Sequence, residues 1–245
     1  MLASPSPYRA DRAAASRAVV VETSRSEAHE REAHALGALP QRGAVAFLRL
    51  QRERLVARLR SSEAPSLIEV DVPGQVPATV LADLRSDHAG EVGAVQIYRG
   101  MLAISRDEEV RAFASSHLLT ELEHLRSLQQ WLPPVAQSRL LPLWRLAGWL
   151  TGALPAWFGA RAVYVTVAAV ESFVDRHYAG QIERLSAFPD LEALRDTLAA
   201  CRHDEIAHRD DALARLPALA GPVARAWSVI VVSGSQLAVC ASRRL

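Results

Sequence analysis

The stretches Glu121-Leu122-Glu123-His124 and Asp204-Glu205-Ile206-Ala207-His208 decide how this chain reads. Each holds Glu-x-x-His, and on a helix positions i and i+3 share a face, so each pair aims a carboxylate and an imidazole at one point. Either pair alone would be ordinary, because Glu and His fall three apart on many exposed helices. Working outward, each pair follows a single Glu set among small or apolar residues. Glu91 lies in Asp87-His-Ala-Gly-Glu-Val-Gly-Ala94, and Glu171 lies in Val167-Ala-Ala-Val-Glu-Ser-Phe-Val174. The order Glu, then Glu-x-x-His, therefore occurs twice. One Glu from each of two helices and Glu-x-x-His from each of two others form the ligand set of a dinuclear carboxylate site in a bundle core. Four carboxylates neutralise two divalent cations. Oxygen and nitrogen donors without thiolate suit iron or manganese better than copper or structural zinc.

The run Ala162–Val170 ahead of Glu171 has no charge. A lone ionised carboxylate there would be desolvated at a cost of several kcal/mol, and a metal partner removes that cost. A ligating imidazole usually donates its other N–H to a carboxylate or carbonyl. Asp204, next to Glu205, and Asp87, one turn before Glu91, are placed for that role; for Asp87 an ordinary surface position stays open. Cys201 and His117 lie one turn before Glu205 and Glu121 and read as core packing.

Composition supports a helical reading. The 245 residues are 50% hydrophobic and 22% charged, and Ala, Leu, Arg and Glu dominate. A net charge of +1, with every cationic side chain an Arg, gives no field to recruit nucleic acid. The two cysteines, Cys201 and Cys240, fit neither a disulfide framework nor a zinc spacing.

Residues 1–75 read as an N-terminal extension. Its first 40 residues form a solvated tail without the apolar core of a secretory signal. A basic amphipathic helix near 43–60 suits either an anionic membrane or the domain surface. Pro65, Pro73, Gly74 and Pro77 mark a linker, and residues 76–245 form the folded domain. Within it the pattern predicts helices at about 78–105, 107–131, 139–152, 158–184, 190–213 and 217–242. The breaks fall at Arg106-Asp107, Pro133-Pro134, Pro155, Phe188-Pro189 and Pro217 to Pro222. The expected architecture is an all-α four-helix bundle with additional apolar helices.

The chain also resembles the demethoxyubiquinone hydroxylase family, the ferritin-like di-iron monooxygenases of ubiquinone biosynthesis. The residues that carry the likeness are Asp87-His-Ala-Gly-Glu-Val-Gly-Ala94 with Ile97-Tyr98, Glu121-Leu-Glu-His124, and Val170-Glu171 leading to His177-Tyr178-x-x-Gln181. Asp204-Glu205-Ile-Ala-His208 and the closing Cys240-Ala-Ser-Arg-Arg-Leu245 complete it, over roughly residues 80–245. Met101 stands where the family suggests Gln, and Arg209 where a second His is common.

The resemblance implies a ferritin-like bundle with two iron ions held by Glu91, Glu121, His124, Glu171, Glu205 and His208. The implied reaction is O2-dependent hydroxylation of a polyprenyl methoxy-methyl-benzoquinol, with His177 and Tyr178 near quinone and electron entry. Expected partners are this membrane-resident quinol, an external reductant for which an NADH link is open, and the membrane surface. A homo-oligomer or a complex with other ubiquinone-biosynthesis proteins also stays open. The implied location is peripheral, on the cytoplasmic face of a bacterial inner membrane or the matrix side of a mitochondrial one. Trp144, Trp149, Trp157 and Phe158 among six leucines suit an interface. The alternative is a membrane-associated ferritin-like di-iron protein of another type, a peroxidase or an iron-binding protein. A rubrerythrin-type peroxidase is disfavoured by the lack of a Cys-x-x-Cys pair.

Overall fold

The structure, a computed structural model, describes residues 76–216 and 221–245. The N-terminal extension, including the 43–60 segment, and residues 217–220 lie outside the described residues. Among the described residues there are six α-helices and no strand: α1 Ala78–Ile104, α2 Glu108–Gln129, α3 Leu141–Phe158, α4 Ala160–Leu185, α5 Glu192–Ala214 and α6 Pro222–Ser242. Helices α1, α2, α4 and α5 make the bundle, and α3 and α6 lie along it, α3 against α1 and α4, α6 against α4 and α1.

Local chemistry explains the boundaries. Asp107 caps α2, its carboxylate accepting from the backbone N–H groups of Glu109 (2.9 Å) and Val110 (3.2 Å), which otherwise have no intrahelical partner. Helix α4 is buried all round from Val163 to Glu171, and this is what its uncharged run requires. The break anticipated at Pro155 does not occur. Helix α3 continues through Pro155 to Phe158 and ends at Gly159, whose φ of 98° only glycine adopts readily. Pro155 lies in the last turn, so it forfeits a single hydrogen bond and leaves the rest of α3 intact.

Two glycines let α3 approach α1. A Cβ on Gly148 would overlap the backbone of Gly93, and one on Gly152 would overlap the carbonyl of Ile97. Because backbone cannot swing aside as a side chain can, Gly152→Ala should cost about 3 kcal/mol and lower Tm by roughly 10 °C. Thermal unfolding checks this, and an unchanged Tm would show that the two helices separate freely.

The C-terminus is tied down. The Leu245 carbonyl accepts from the Arg139 backbone N–H at 2.9 Å, and Trp144 Nε1 donates to Ser242 Oγ at 2.7 Å. Arg243 pairs with Asp83, which also takes Arg184 at 3.0 Å.

Candidate metal centre

Each bundle helix delivers its share of donors to one place. Glu91 comes from α1, Glu121 and His124 from α2, Glu171 from α4, and Glu205 and His208 from α5, all of them buried. Their donor atoms form two groups, each with atoms within 4.8 Å of one another. Glu91, Glu121, His124 and Glu205 make one group; Glu121, Glu171, Glu205 and His208 make the other. Glu121 and Glu205 belong to both. The arrangement is two overlapping four-donor cages that share a pair of carboxylates.

Contacts within the cages are close but poorly aimed for hydrogen bonding. His208 Nδ1 lies 3.1 Å from Glu121 Oε1 and 3.4 Å from Glu205 Oε2, and His124 Nδ1 lies 3.1 Å from Glu205 Oε1. Even so, His124 Nδ1, His208 Nδ1, Glu91 Oε2, both Glu121 oxygens and Glu205 Oε2 are buried without a hydrogen-bond partner. Buried polar atoms left in this state are costly. Lone pairs converging on shared points satisfy the donor requirement of two cations, so the residues present fit a dinuclear metal site.

Electrostatics says the same. Burial pushes the Glu91 and Glu171 carboxyls well above the ordinary carboxylate range. The carboxylate of Glu121 adds to this at Glu91, and those of Glu205 and Glu121 add to it at Glu171. Burial opposes charge on the imidazoles too, yet Glu121 and Glu205 override it and raise His208 to about 9, while Asp204 and Glu205 raise His124 further. For Glu205 the same imidazoles outweigh burial and hold the carboxyl below its usual range. Without cations, like charges are thus crowded in a dry core and neutralised only by protons.

The surroundings are ordered by side chains outside the six donors, and the hydrogen bonds of Tyr98 and Tyr178 to the carboxylates are ones the sequence reading did not foresee. Tyr98 donates to Glu171 Oε1 at 3.1 Å, and Tyr178 donates to Glu91 Oε1 at 2.5 Å. Each tyrosine lies seven residues after one Glu and bonds the other. The doubled Glu-x6-Tyr spacing was a signal that could have singled out both tyrosines, though not the crossing of their bonds between helices. His117 bonds Asp211 at 3.0 Å and packs its ring 4.1 Å from that of His208, so it walls the site without entering either cage. Cys201 packs in the core, its thiol pushed up to about 12 by burial.

Asp204 lies 3.1 Å from His124 Nε2, opposite the nitrogen that faces the cage. Asp87 departs from the expected role. It pairs with His177 Nε2 at 3.0 Å, not with His124 or His208, because four residues along α1 from Glu91 it faces α4 and not α5. His177 and Tyr178 both line a cavity of about 370 Å³ that reaches Glu91, Glu171 and Glu205. Its walls are otherwise mainly apolar and come from α1, α3, α4 and α6, including Ile97, Ala147, Val174 and Val231.

The family model described as "Ubiquinone biosynthesis protein COQ7" matches residues 78–242, a span holding all six helices. The "3-demethoxyubiquinol 3-hydroxylase" of Rhodospirillum rubrum is 34% identical over 179 residues, covering 71% of this chain and 83% of that protein. The "NADPH-dependent 3-demethoxyubiquinone 3-hydroxylase, mitochondrial" of Homo sapiens is 31% identical over 166 residues, covering 66% and 76%. The Dictyostelium discoideum protein of the same name is 31% identical over 165 residues, with the same coverage. The family model's match over residues 78–242, two thirds of the sequence, together with these relatives at 31–34% identity, makes this chain a member of the COQ7 family.

Proposed function

We propose that this chain is an O2-dependent di-iron monooxygenase that hydroxylates the ring of a polyprenyl methoxy-methyl-benzoquinol in ubiquinone biosynthesis. The observation that carries the proposal is the pair of overlapping donor cages at the end of an apolar cavity. The names of the relatives support a hydroxylase over a peroxidase or an iron-storage protein. Glu91 and His124 would hold one iron, Glu171 and His208 the other, with Glu121 and Glu205 serving both. When bound, such a pair supplies two electrons and open positions for activating O2.

The protein's own part is to bind, orient and exclude water. The apolar walls from α1, α4 and α6 take the substituted ring and keep bulk water from the reacting carbon. Tyr98 and Tyr178 fix the two carboxylates that belong to one cage each, so the donors are held before any metal arrives. Reducing O2 while one oxygen enters the ring consumes two electrons beyond those the ring supplies, so an external reductant completes the cycle; a nicotinamide-linked one fits the names of the mitochondrial relatives.

The substrate's polyprenyl tail belongs in a bilayer, and the surface suits that. Helix α3 exposes Leu143, Leu146, Leu150, Leu154, Trp157 and Phe158, and α6 exposes Val229, Ile230 and Leu237. By length and composition α6 is apolar enough to cross a membrane, yet it also lines the cavity and is anchored at its C-terminal end. Both facts support a peripheral mode in which α3 and α6 dip into one leaflet beside the cavity, on the cytoplasmic or matrix face. The protein should co-sediment with liposomes, and Leu154→Glu with Trp157→Glu should weaken that at least about tenfold. Absence of binding to both neutral and anionic vesicles would end the docking idea.

Quinone profiling of a deletion strain tests the function. Accumulation of the precursor lacking one ring oxygen, relieved by this chain, is the expected result. An unchanged quinone profile would refute the proposal.

A further inference from the structure

A second cavity, of about 460 Å³, enters the bundle between α1, α4 and α5. Thr79, Glu183 and Arg184 are exposed at its polar mouth, and buried Leu194 and Leu198 form part of its wall. Asp87 and Gln181 line it as well. Among the described residues, Asp87 alone lines both this cavity and the one that reaches the donor cages.

The inner polar atoms of the second cavity have no protein partner. Asp87 Oδ1 faces His177 Nε2 and accepts from the Gln181 amide at 2.7 Å. Asp87 Oδ2 and Gln181 Oε1, by contrast, are buried without a hydrogen bond among the described residues. The two guanidiniums of the cavity, Arg184 and Arg243, are both paired with Asp83 and leave those acceptors alone. Buried acceptors in this state are costly. Water donates twice, fits a space of this size and satisfies both.

The first cavity is a poor route for protons. Its walls are mainly apolar, α3 and α6 expose apolar side chains beside it, and a bound quinol with its tail fills the way in. Yet ring hydroxylation consumes protons. A ring C–H, O2, two electrons from the external reductant and two protons give a ring C–OH and one water.

We propose that these protons enter from bulk water through the second cavity, with Asp87 as the relay between the two. The proposal rests on the hydroxylase reading above and adds its proton supply. A hydronium in the second cavity gives its proton to Asp87 Oδ2 and becomes water. The carboxyl turns that proton toward the first cavity, and the carboxylate is restored when the proton leaves. No electron moves in this transfer.

Two measurements test the relay. In the metal-free full chain, labelled with ¹⁵N in its glutamine side chains, magnetisation should pass from water to the Gln181 amide. Leu198→Trp, which fills the cavity, should abolish that transfer, and Thr79→Trp at the exposed mouth serves if the first variant fails to fold. The second measurement uses iron-loaded protein, a short-chain methoxy-methyl-benzoquinol and excess reductant. A variant that has lost the water signal should hydroxylate at least about tenfold more slowly, with a larger solvent deuterium isotope effect. Asp87→Asn should keep the water signal and show the same slowing and the same isotope effect, which mere loss of packing would not change. No transfer from water in wild type overturns this inference alone. So does an unaltered rate and isotope effect in Asp87→Asn or in a plugged variant. Absence of hydroxylation by wild type overturns the hydroxylase reading and this inference with it.

Discussion

Glu171→Ala is expected to lower ring hydroxylation by at least about a hundredfold while leaving helix content unchanged. Removing a residue that merely supports a metal ligand costs 10–100-fold, so removing a ligand costs at least the upper end. Stability should move in the opposite direction. Burial and the Glu205 and Glu121 carboxylates push the Glu171 carboxyl well above its ordinary value. A carboxyl whose pKa is raised on folding favours the folded state only while protonated. Its contribution is present below the unfolded value and is lost as pH rises through the folded one. At neutral pH the metal-free protein therefore carries a destabilising group. The isosteric Glu171→Gln, which cannot ionise, should raise metal-free stability by about 1–3 kcal/mol and flatten this part of the pH dependence. Denaturant unfolding of the two metal-free proteins measures it. A variant that keeps turnover, or that loses stability without metal, would remove Glu171 from the donor set.

Metal loading should have a comparably large effect on the wild type. A ligand that binds only the folded state at about a thousand times its Kd adds about 4 kcal/mol of stability. Anaerobic addition of iron(II) is accordingly expected to raise Tm sharply and to saturate at about two equivalents per chain. Protons should be released as well, because burial notwithstanding, the neighbouring carboxylates raise His124 and His208, and each must shed its proton to offer Nδ1. Calorimetry in buffers of different ionisation enthalpy counts those protons. Saturation at less than one equivalent, or binding without proton release, would contradict a site built from these imidazoles.

The parts of the molecule that depend on repetition were legible from sequence. Doubled Glu and Glu-x-x-His spacing required four helices facing one another, and α1, α2, α4 and α5 bring those residues together within 4.8 Å groups. The uncharged run before Glu171 announced its burial, and α4 is buried on every side there. Features that depend on which helix neighbours which were harder to read. Asp87 lies one turn from Glu91, but whether it faces α5 or α4 is decided by bundle packing, and it faces His177 on α4. Pro155 suggested a break because sequence alone does not show how near the helix end it lies. Gly148 and Gly152 look like weak points in α3 until α1 is placed against them. Tyr98 and Tyr178 were available in the repeat spacing, but only the fold shows each reaching the opposite carboxylate.

Anomalous diffraction at the iron edge, from crystals of the full chain loaded anaerobically with iron(II), tests the central claim most directly. Two peaks per chain should appear inside the bundle, one against Glu91 and His124 and the other against Glu171 and His208, with Glu121 and Glu205 touching both. A single peak, or iron bound elsewhere while these six side chains stay unengaged, would contradict the account.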